Sequence, residues 1–358
     1  MKPRPDYTRL INAINRNGDP KYVPFLEIVA DPEFISAYLD EKTPITWNQQ
    51  ADHELWEISI DQKIRFWHSL GYDAIRQGPA LDFPQVPMLK SKDIAIYNRA
   101  EREWFNEKKG CITTWAEYEA YPWSISGEID FFPMEYISKK MPEGMGIFGE
   151  IGGVYESLSW MMGYETLCTA LFDQPDLVMA ICERISQVYI SLATSLIQMD
   201  RVIGLWMGDD LGFKTSTLIS PKHLRQYIFP IQQKISEIAH EYGKPFLLHS
   251  CGKLAVVMEH LINFVGVDAK HSFEDQIDPV ENFCSRYQDR ISTIGGIDMD
   301  LLTRGSEEQI RHRTRNVLEA CSSSKAYILG TGNTVANFIP INNFLAMLDE
   351  GRKFNQYG

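Results

Sequence analysis

Pro245-Phe246-Leu247-Leu248-His249-Ser250-Cys251-Gly252 is an apolar run that ends in His-x-Cys and a glycine. It reads as a buried strand. Strand side chains alternate between faces, so His249 and Cys251, two apart, point the same way. An imidazole and a thiolate on one face make half of a zinc site. The segments on either side show what kind of sheet holds this strand. Upstream, Ser220-Pro221 opens a long helix, with Ser at the N-cap and Pro at the first position, and Gly243 closes it. Downstream, Leu254 to Phe264 reads as a helix and Val265 to His271 as the next strand.

The same alternation runs through the chain. Val23–Ile28, Gly71–Arg76, Met145–Glu150, Val202–Gly208, the opening stretch, Val265–His271, Arg290–Gly296 and Lys325–Gly330 give eight candidate strands. Helical patterns stand between them: Asp31-Pro32 to Leu39, Asp52 to Ser69, Tyr155 to Phe172, Pro175 to Met199, Asp278-Pro279 onward, Ser306 to Cys321 and Ile341 to Phe354. Asp6 to Asn17 is a short amphipathic lead-in helix. The second half repeats every roughly 30–40 residues, the size of a βα unit with its loops. Such a chain is a doubly wound sheet or a closed (β/α)8 TIM barrel. No Gly-x-Gly-x-x-Gly follows the first strand, which disfavours the dinucleotide-binding sheet. The expectation is one barrel domain over residues 1–358.

Residues 82–143 interrupt the pattern with prolines and with Trp104, Phe105, Trp115, Tyr118, Tyr121, Trp123, Phe131 and Phe132. The stretch is too long for an ordinary connection. It reads as a helical, aromatic insertion after the second strand, with helices of its own, either a lid over a ligand or a satellite core.

A barrel places all strand C-termini on one face, where barrel enzymes build their sites. That face receives Glu27, Arg76, Glu150, Asp209, Asp210, His249, Cys251, His271, Asp298, Thr331 and Asn333. Strand ends turn polar where they meet solvent, and Asp298 also suits a helix N-cap. Glu27 fits that bland account less well, since it lies between Leu26 and Ile28. Of the six cysteines only Cys251 falls at this face. Cys284 and Cys321 lie toward the other end, Cys168 and Cys182 on helices among apolar neighbours, and Cys111 in the insertion.

The chain has 358 residues, 44% hydrophobic and 23% charged, with net charge -13. That balance suits a globular enzyme and disfavours nucleic acid or an anionic membrane as partner. No signal-peptide pattern opens the sequence and no apolar run reaches membrane length. Scattered cysteines without CxxC pairs suggest reduced thiols and a cytoplasmic setting.

Gly208-Asp209-Asp210-Leu211-Gly212-Phe213, Leu248-His249-Ser250-Cys251-Gly252, Gly266-Val267-Asp268-Ala269, Gly295-Gly296-Ile297-Asp298 and Gly330-Thr331-Gly332-Asn333, in that order and spacing, resemble the uroporphyrinogen decarboxylase superfamily. Asn12 to Phe34 is similar to its opening helix and first strand. The resemblance implies a (β/α)8 barrel, often dimeric. The decarboxylase branch grips its polycarboxylate with Arg-Gln-Ala-Gly-Arg after the first strand. Here that position reads Glu27-Ile28-Val29-Ala30-Asp31, without an arginine. The corrinoid-dependent methyltransferase branch carries His-x-Cys on the fifth strand and a further Cys after the eighth, and uses them to hold zinc. His249 and Cys251 match, but Thr331 stands where the further Cys would be. The third ligand is then expected from Glu27, Glu150 or His271.

The resemblance therefore implies a methyltransferase-like enzyme that moves a methyl group between a corrinoid, or a corrinoid protein, and a small methylated compound or thiol. His249, Cys251 and Glu27 are the expected metal ligands. Asp209, Asp210, His271 and Glu150 are the expected catalytic groups, and Arg76, Thr331, Asn333 and Asp298 the substrate-binding ones. Two other readings remain. One is a metal-free decarboxylase or lyase in which Arg76 grips a small carboxylated substrate. The other is a non-catalytic tetrapyrrole- or corrinoid-binding protein.

Overall fold

The computed structural model describes residues 4–42, 52–81, 83, 85–99, 101–123 and 129–357. Its strands in chain order are β1 (Ala74–Gln77), β2 (Met88–Lys92), β3 (Glu101–Phe105), β4 (Gly146–Ile151), β5 (Val202–Gly208), β6 (Phe246–His249), β7 (Ala269–His271), β8 (Ser292–Ile294) and β9 (Tyr327–Ile328). All but β2 and β3 form one parallel sheet in the order β1-β4-β5-β6-β7-β8-β9. Parallel neighbours need crossovers, and helices between the strands supply them. The fold is an α/β barrel of the TIM type.

The first expected strand is reduced to a stave. Residues 23–30 lie beside β9 through single parallel bridges, Phe25 to Leu329 and Ala30 to Val335. Pro24 has no N–H to donate, so only its carbonyl is used, accepting from Leu329 N at 2.9 Å. Toward β1 the described contacts are between side chains. The Tyr72 ring lies 6.0 Å from that of Phe25, and its hydroxyl donates to Glu27 at 3.2 Å.

Alternation along the staves sorts the core into two layers. Leu26, Ile28, Ala74, Phe148, Trp206, Leu247, Ala269, Ile294 and Ile328 point inward and pack together. Their neighbours point outward to the helices. The N-terminal helix Thr8–Ile14 plugs one end of this interior with Leu10, Ala13 and Ile14. Ser292 Oγ binds the last carbonyls of that helix, Ala13 O at 2.9 Å and Ile14 O at 2.8 Å. The inward parity continues past Leu247 and Ala269 to His249 and His271, which are paired in register across β6 and β7.

The helix expected over Tyr155 to Phe172 is broken at Gly163 (φ 76°) into Val154–Met162 and Tyr164–Asp173. The one expected from Pro221 to Tyr242 carries a π-turn at Leu224–Ile228, where Pro230 cannot donate. Asp31 sits at an N-cap, but its carboxylate binds Arg99 (2.9 Å) and Asn337 N (2.9 Å) instead of capping. Pro175–Ile197 is long and apolar enough to cross a membrane, yet 56% of its window is buried inside the fold.

In the stretch between β1 and β4, β2 and β3 pair antiparallel and stay largely exposed, with Phe105 stacked on Trp160 at 3.9 Å. Tyr118 and Trp123 pack against Arg184 on the flank helix Pro175–Gln198. These rings form a satellite cluster on the flank. Residues 93–99 instead reach the mouth of the barrel, where Arg99 meets Asp31 and Glu33, and Asp93 binds Asn337.

Candidate metal centre

The inward parity of β6 and β7 sets two imidazoles side by side, Nδ1 to Nδ1 at 2.7 Å. His271 Nε2 lies 3.1 Å from the carbonyl oxygen of Thr331. Both rings are buried, and burial holds His271 down at about 3 and His249 well below the usual histidine range. Both are therefore neutral, with one N–H each. A carbonyl only accepts, so the proton of His271 is on Nε2 and its Nδ1 is an acceptor. His249 must then donate from Nδ1, which leaves its Nε2 as a bare lone pair. The Thr331 carbonyl thus fixes the tautomer of a ring two hydrogen bonds away. Gly295 makes this possible. It sits at φ 84°, and a Cβ there would collide with the Thr331 carbonyl and press on the His271 ring.

That lone pair points at Cys251 Sγ, 3.6 Å away, and at Asp210 Oδ1, 3.5 Å away. The ligand atoms of Asp210, His249 and Cys251 all lie within 4.8 Å of one another. Neighbouring ligands on a tetrahedral ion with bonds of about 2.0–2.3 Å are separated by roughly 3.3–3.7 Å. The group therefore suits a metal held by three protein ligands with a fourth position open. The backbone N–H of Cys251 donates to Asp210 Oδ1 at 2.8 Å and anchors that carboxylate. Gly252 (φ 83°) turns the chain directly after it, against Gly212, where no Cβ fits.

Cys251 is a thiol in this setting. Burial, then the nearby Asp210, push it up to about 12. Its sulfur nonetheless faces donors, Asn333 Nδ2 at 3.3 Å and the Ser272 hydroxyl at 3.4 Å. A bound cation would favour the thiolate, and those two groups are placed to stabilise it. Ser272 holds its place in a left-handed conformation (φ 92°), a strained state for a residue with a side chain.

Other expected groups are placed differently. Glu27 is not beside His249 and Cys251. Its carboxyl accepts from Thr331 N at 3.0 Å and lies 2.6 Å from the Thr331 hydroxyl and 3.2 Å from Tyr72 Oη. The Thr331 hydroxyl has one proton, and it also contacts the carbonyl of Asn333, which only accepts. Glu27 Oε2 and Asn333 O compete for that one proton. Burial raises Glu27 to about 8, which favours its neutral form. A neutral acid engaged in this way is no metal ligand, and Asp210 takes the place expected of Glu27. His271 stands behind His249 as its hydrogen-bond partner, not in the ligand set.

Asp209 points away from the imidazoles. Its Oδ2 accepts from Val154 N (3.0 Å), Tyr155 N (3.2 Å) and Gln232 Nε2 (2.8 Å), and its Oδ1 from Glu156 N (3.0 Å). It is a capping group for the helix Val154–Met162, not a proton-transfer group at the mouth. Asp298 caps Met299–Arg304 through Asp300 N and Leu301 N and binds Asp275 N, so its part is also structural. Arg76 is buried and pairs with Glu150 at 3.3 Å. Its charge is already answered, which weakens it as a grip for a substrate carboxylate. Thr331 is spent on Glu27 and Asn333, while Asn333 does reach the cluster.

Sequence reasoning missed Ser272, whose strained backbone has no sequence signal. It also missed Glu156, whose carboxyl is pushed well up by burial and by Asp210 and Asp209. Glu156 was legible as an acid three residues past a helix-starting glycine, Gly153, but its neighbours come from another strand end.

Residues 133–354, more than half of the chain, match the family model described as uroporphyrinogen decarboxylase (URO-D). No curated protein matches. Among solved structures, a methyltransferase from Methanosarcina mazei superposes with TM-score 0.70 at 16% identity, covering 98% of each chain. A family 5 xyloglucanase from Paenibacillus pabuli covers 94% of this chain and 99% of its own at 10% identity, with TM-score 0.45. The first likeness shows the fold over the whole length, and the family model covers the strands that carry His249, Cys251 and Asp210. The chain belongs to the uroporphyrinogen decarboxylase family.

Proposed function

We propose that this protein is a methyltransferase of the family, moving a methyl group between a corrinoid, free or carried by a partner protein, and a small methylated compound or thiol. Asp210, His249 and Cys251 would hold zinc. The observation that carries the reading is the bare Nε2 of His249, set by the Thr331–His271 relay and aimed between a carboxylate and a thiol. Zinc bound there would act as a Lewis acid on the heteroatom of the small substrate, favouring its thiolate or polarising its bond to methyl.

The chain's own residues have separate parts. His271 keeps His249 in the ligand tautomer. Asn333 and Ser272 offer hydrogen bonds to the sulfur of Cys251. The backbone of Cys251 orients Asp210. Arg76 and Glu150 form a polar wall on the β1 and β4 side of the mouth. The likeness to a methyltransferase in fold and the family membership support this class, and the free cysteines fit a reducing, cytoplasmic setting.

The test is metal analysis of protein purified without added metal, beside the single variants Asp210→Asn, Cys251→Ser and Glu27→Gln. About one zinc per chain is expected in the parent and in Glu27→Gln, with loss of tenfold or more in affinity in the other two. Zinc kept by Asp210→Asn and lost by Glu27→Gln would overturn the ligand set. The zinc-loaded parent should demethylate methylcobalamin in the presence of a small thiol, followed by the change in corrinoid absorbance. Metal-loaded protein with no such change across a panel of thiols and methylated compounds would count against the transfer.

A further inference from the structure

Behind the loop that carries Cys251 lies a cavity of about 200 Å³, between residues 252–258 and the helix Val280–Tyr287. Gly252 and Ser272 form the part of its wall nearest the candidate metal centre. The rest sets Leu254, Met258, Phe273, Phe283 and Tyr287 on one part of the wall among charged side chains, Lys253, Glu274, Asp278 and Arg286. Lys270 also lines it. This lysine alternates outward from β7, between Ala269 and His271, and is only 5% exposed.

The surroundings of Lys270 are unusual for a buried cation. Its Nζ donates to the Ser272 carbonyl at 2.6 Å. It lies 4.1 Å from the ring centre of Phe273 and 5.6 Å from that of Phe283. Among the described residues no carboxylate oxygen comes within 4.0 Å of it. An ammonium has three protons to place, and one carbonyl with two ring faces leaves it short of an anion. Burying such a charge without a counter-ion is costly. Burial accordingly pulls Lys270 down to about 8. The acids on the cavity do not resolve the shortage. Asp278 is paired with Arg286, and Glu274 is half-buried on a lining that carries three cations, Lys253, Lys270 and Arg286, and it makes no ion pair with Lys270.

We propose that this cavity binds a small carboxylate with an apolar body, its anionic head paired with Lys270 and its body against Phe273, Phe283 and Tyr287. The volume would hold about six or seven waters at roughly 30 Å³ each, which is room for one small organic acid. An apolar body gains from the ring faces, while a bare inorganic anion would leave them wet. The carboxylate supplies what Lys270 lacks. The inference does not depend on the methyl-transfer reading, because Asp210, His249 and Cys251 are not on the cavity wall.

The experiment is calorimetric titration of the full chain with benzoate, benzyl alcohol and inorganic phosphate. Benzoate is expected to bind saturably, with a dissociation constant about tenfold or more below those of the alcohol and phosphate. Two variants accompany it. Lys270→Met keeps most of the length of the side chain without the charge and should weaken benzoate by about tenfold or more. Ala255→Trp fills the cavity from an exposed loop position and should abolish binding while leaving the core alone. Benzoate binding equally well to either variant, benzyl alcohol or phosphate matching benzoate, or no saturable binding to the parent would each overturn the proposal. If Lys270→Met fails to fold, Ala255→Trp decides. Metal content measured on the same samples separates this result from failure of the metal reading.

Discussion

Glu27 shows how burial rewrites the chemistry of one side chain. In sequence it is a carboxylate stranded between apolar residues, and the natural guess is a metal to pair with it. In the fold its partners are a backbone N–H, a threonine hydroxyl and a tyrosine, with no cation among them. It responds by keeping its proton, with a pKa raised to about 8 from 4.5. A folded-state pKa above the unfolded one gives stability that is complete below about pH 4.5 and falls as pH rises toward 8. Glu27→Gln removes that dependence while preserving shape, since an amide can donate to Thr331 Oγ1 and accept from Thr331 N. The variant should match the parent near pH 4.5 and outlast it progressively up to pH 8. The gap would be of the order of a few kcal/mol at most, since about 1.4 kcal/mol attaches to each pH unit. Urea unfolding at pH 5, 7 and 9 measures it. A constant difference across that range would mean that Glu27 is ionised in the native state. Thr331, where the sequence resemblance implies a further cysteine, is hydrogen-bonded to Glu27 instead of facing the cluster.

At the scale of elements, Asp209 and Asp210 show why neighbours in sequence part company in function. They follow β5 directly, and alternation sends them to opposite sides. Asp210 turns to His249 and Cys251, and Asp209 to the start of the helix Val154–Met162. That helix begins at Gly153, which offers no capping side chain, so its first N–H groups take their acceptor from another βα unit. Asp209→Ala would strand three backbone donors and Gln232 in a buried place. A loss of about 3–5 kcal/mol is expected, with faster hydrogen exchange at the amides of Val154, Tyr155 and Glu156. An unchanged exchange pattern there would remove Asp209 from this role. The sequence could supply the pair of acids and the strand before them, but not which one turned outward. Long-range caps carry no local signal, whereas local ones do. Ser306 with Gln309 forms the capping box that their spacing implies. Asp278 does not cap the helix Val280–Tyr287, which starts one residue later with Pro279 at its N-cap, and its carboxylate pairs with Arg286 instead. The strands of the parallel sheet were legible from apolar runs, but the β2–β3 hairpin was not, because both strands are largely exposed and lie in the stretch expected to be helical. The stave at 23–30 and the π-turn before Phe229 departed from expectation for one shared reason, a proline without an N–H.

Taken whole, the molecule keeps its stability and its chemistry at opposite ends of one barrel. The mouth collects the strained Ser272, buried imidazoles, a protonated Glu27 and a buried Arg76, groups that each cost folding energy. The far end is closed by the helix Thr8–Ile14, whose Leu10 and Ile14 are fully buried against the inward layer. This division was only half visible in the sequence. The ring of polar strand ends located the mouth, but a short amphipathic helix near residue 10 gave no hint that it plugs the barrel, since its partners on β8 and β9 lie at least 278 residues further along the chain. The division has a consequence that can be measured. Leu10→Ala and Ile14→Ala each open a cavity at the closed end, and each should cost about 2–5 kcal/mol. The intervening layer of Phe148, Trp206 and Leu247 is closely packed and fully buried, so the mouth should not feel the change while the chain stays folded. Both variants should unfold at lower urea concentration than the parent, yet carry the same metal per folded chain and the same benzoate affinity in buffer alone. Metal content that falls below the unfolding transition would show that the two ends are coupled through the inward layer. In that case the plug would belong to the site as much as to the scaffold.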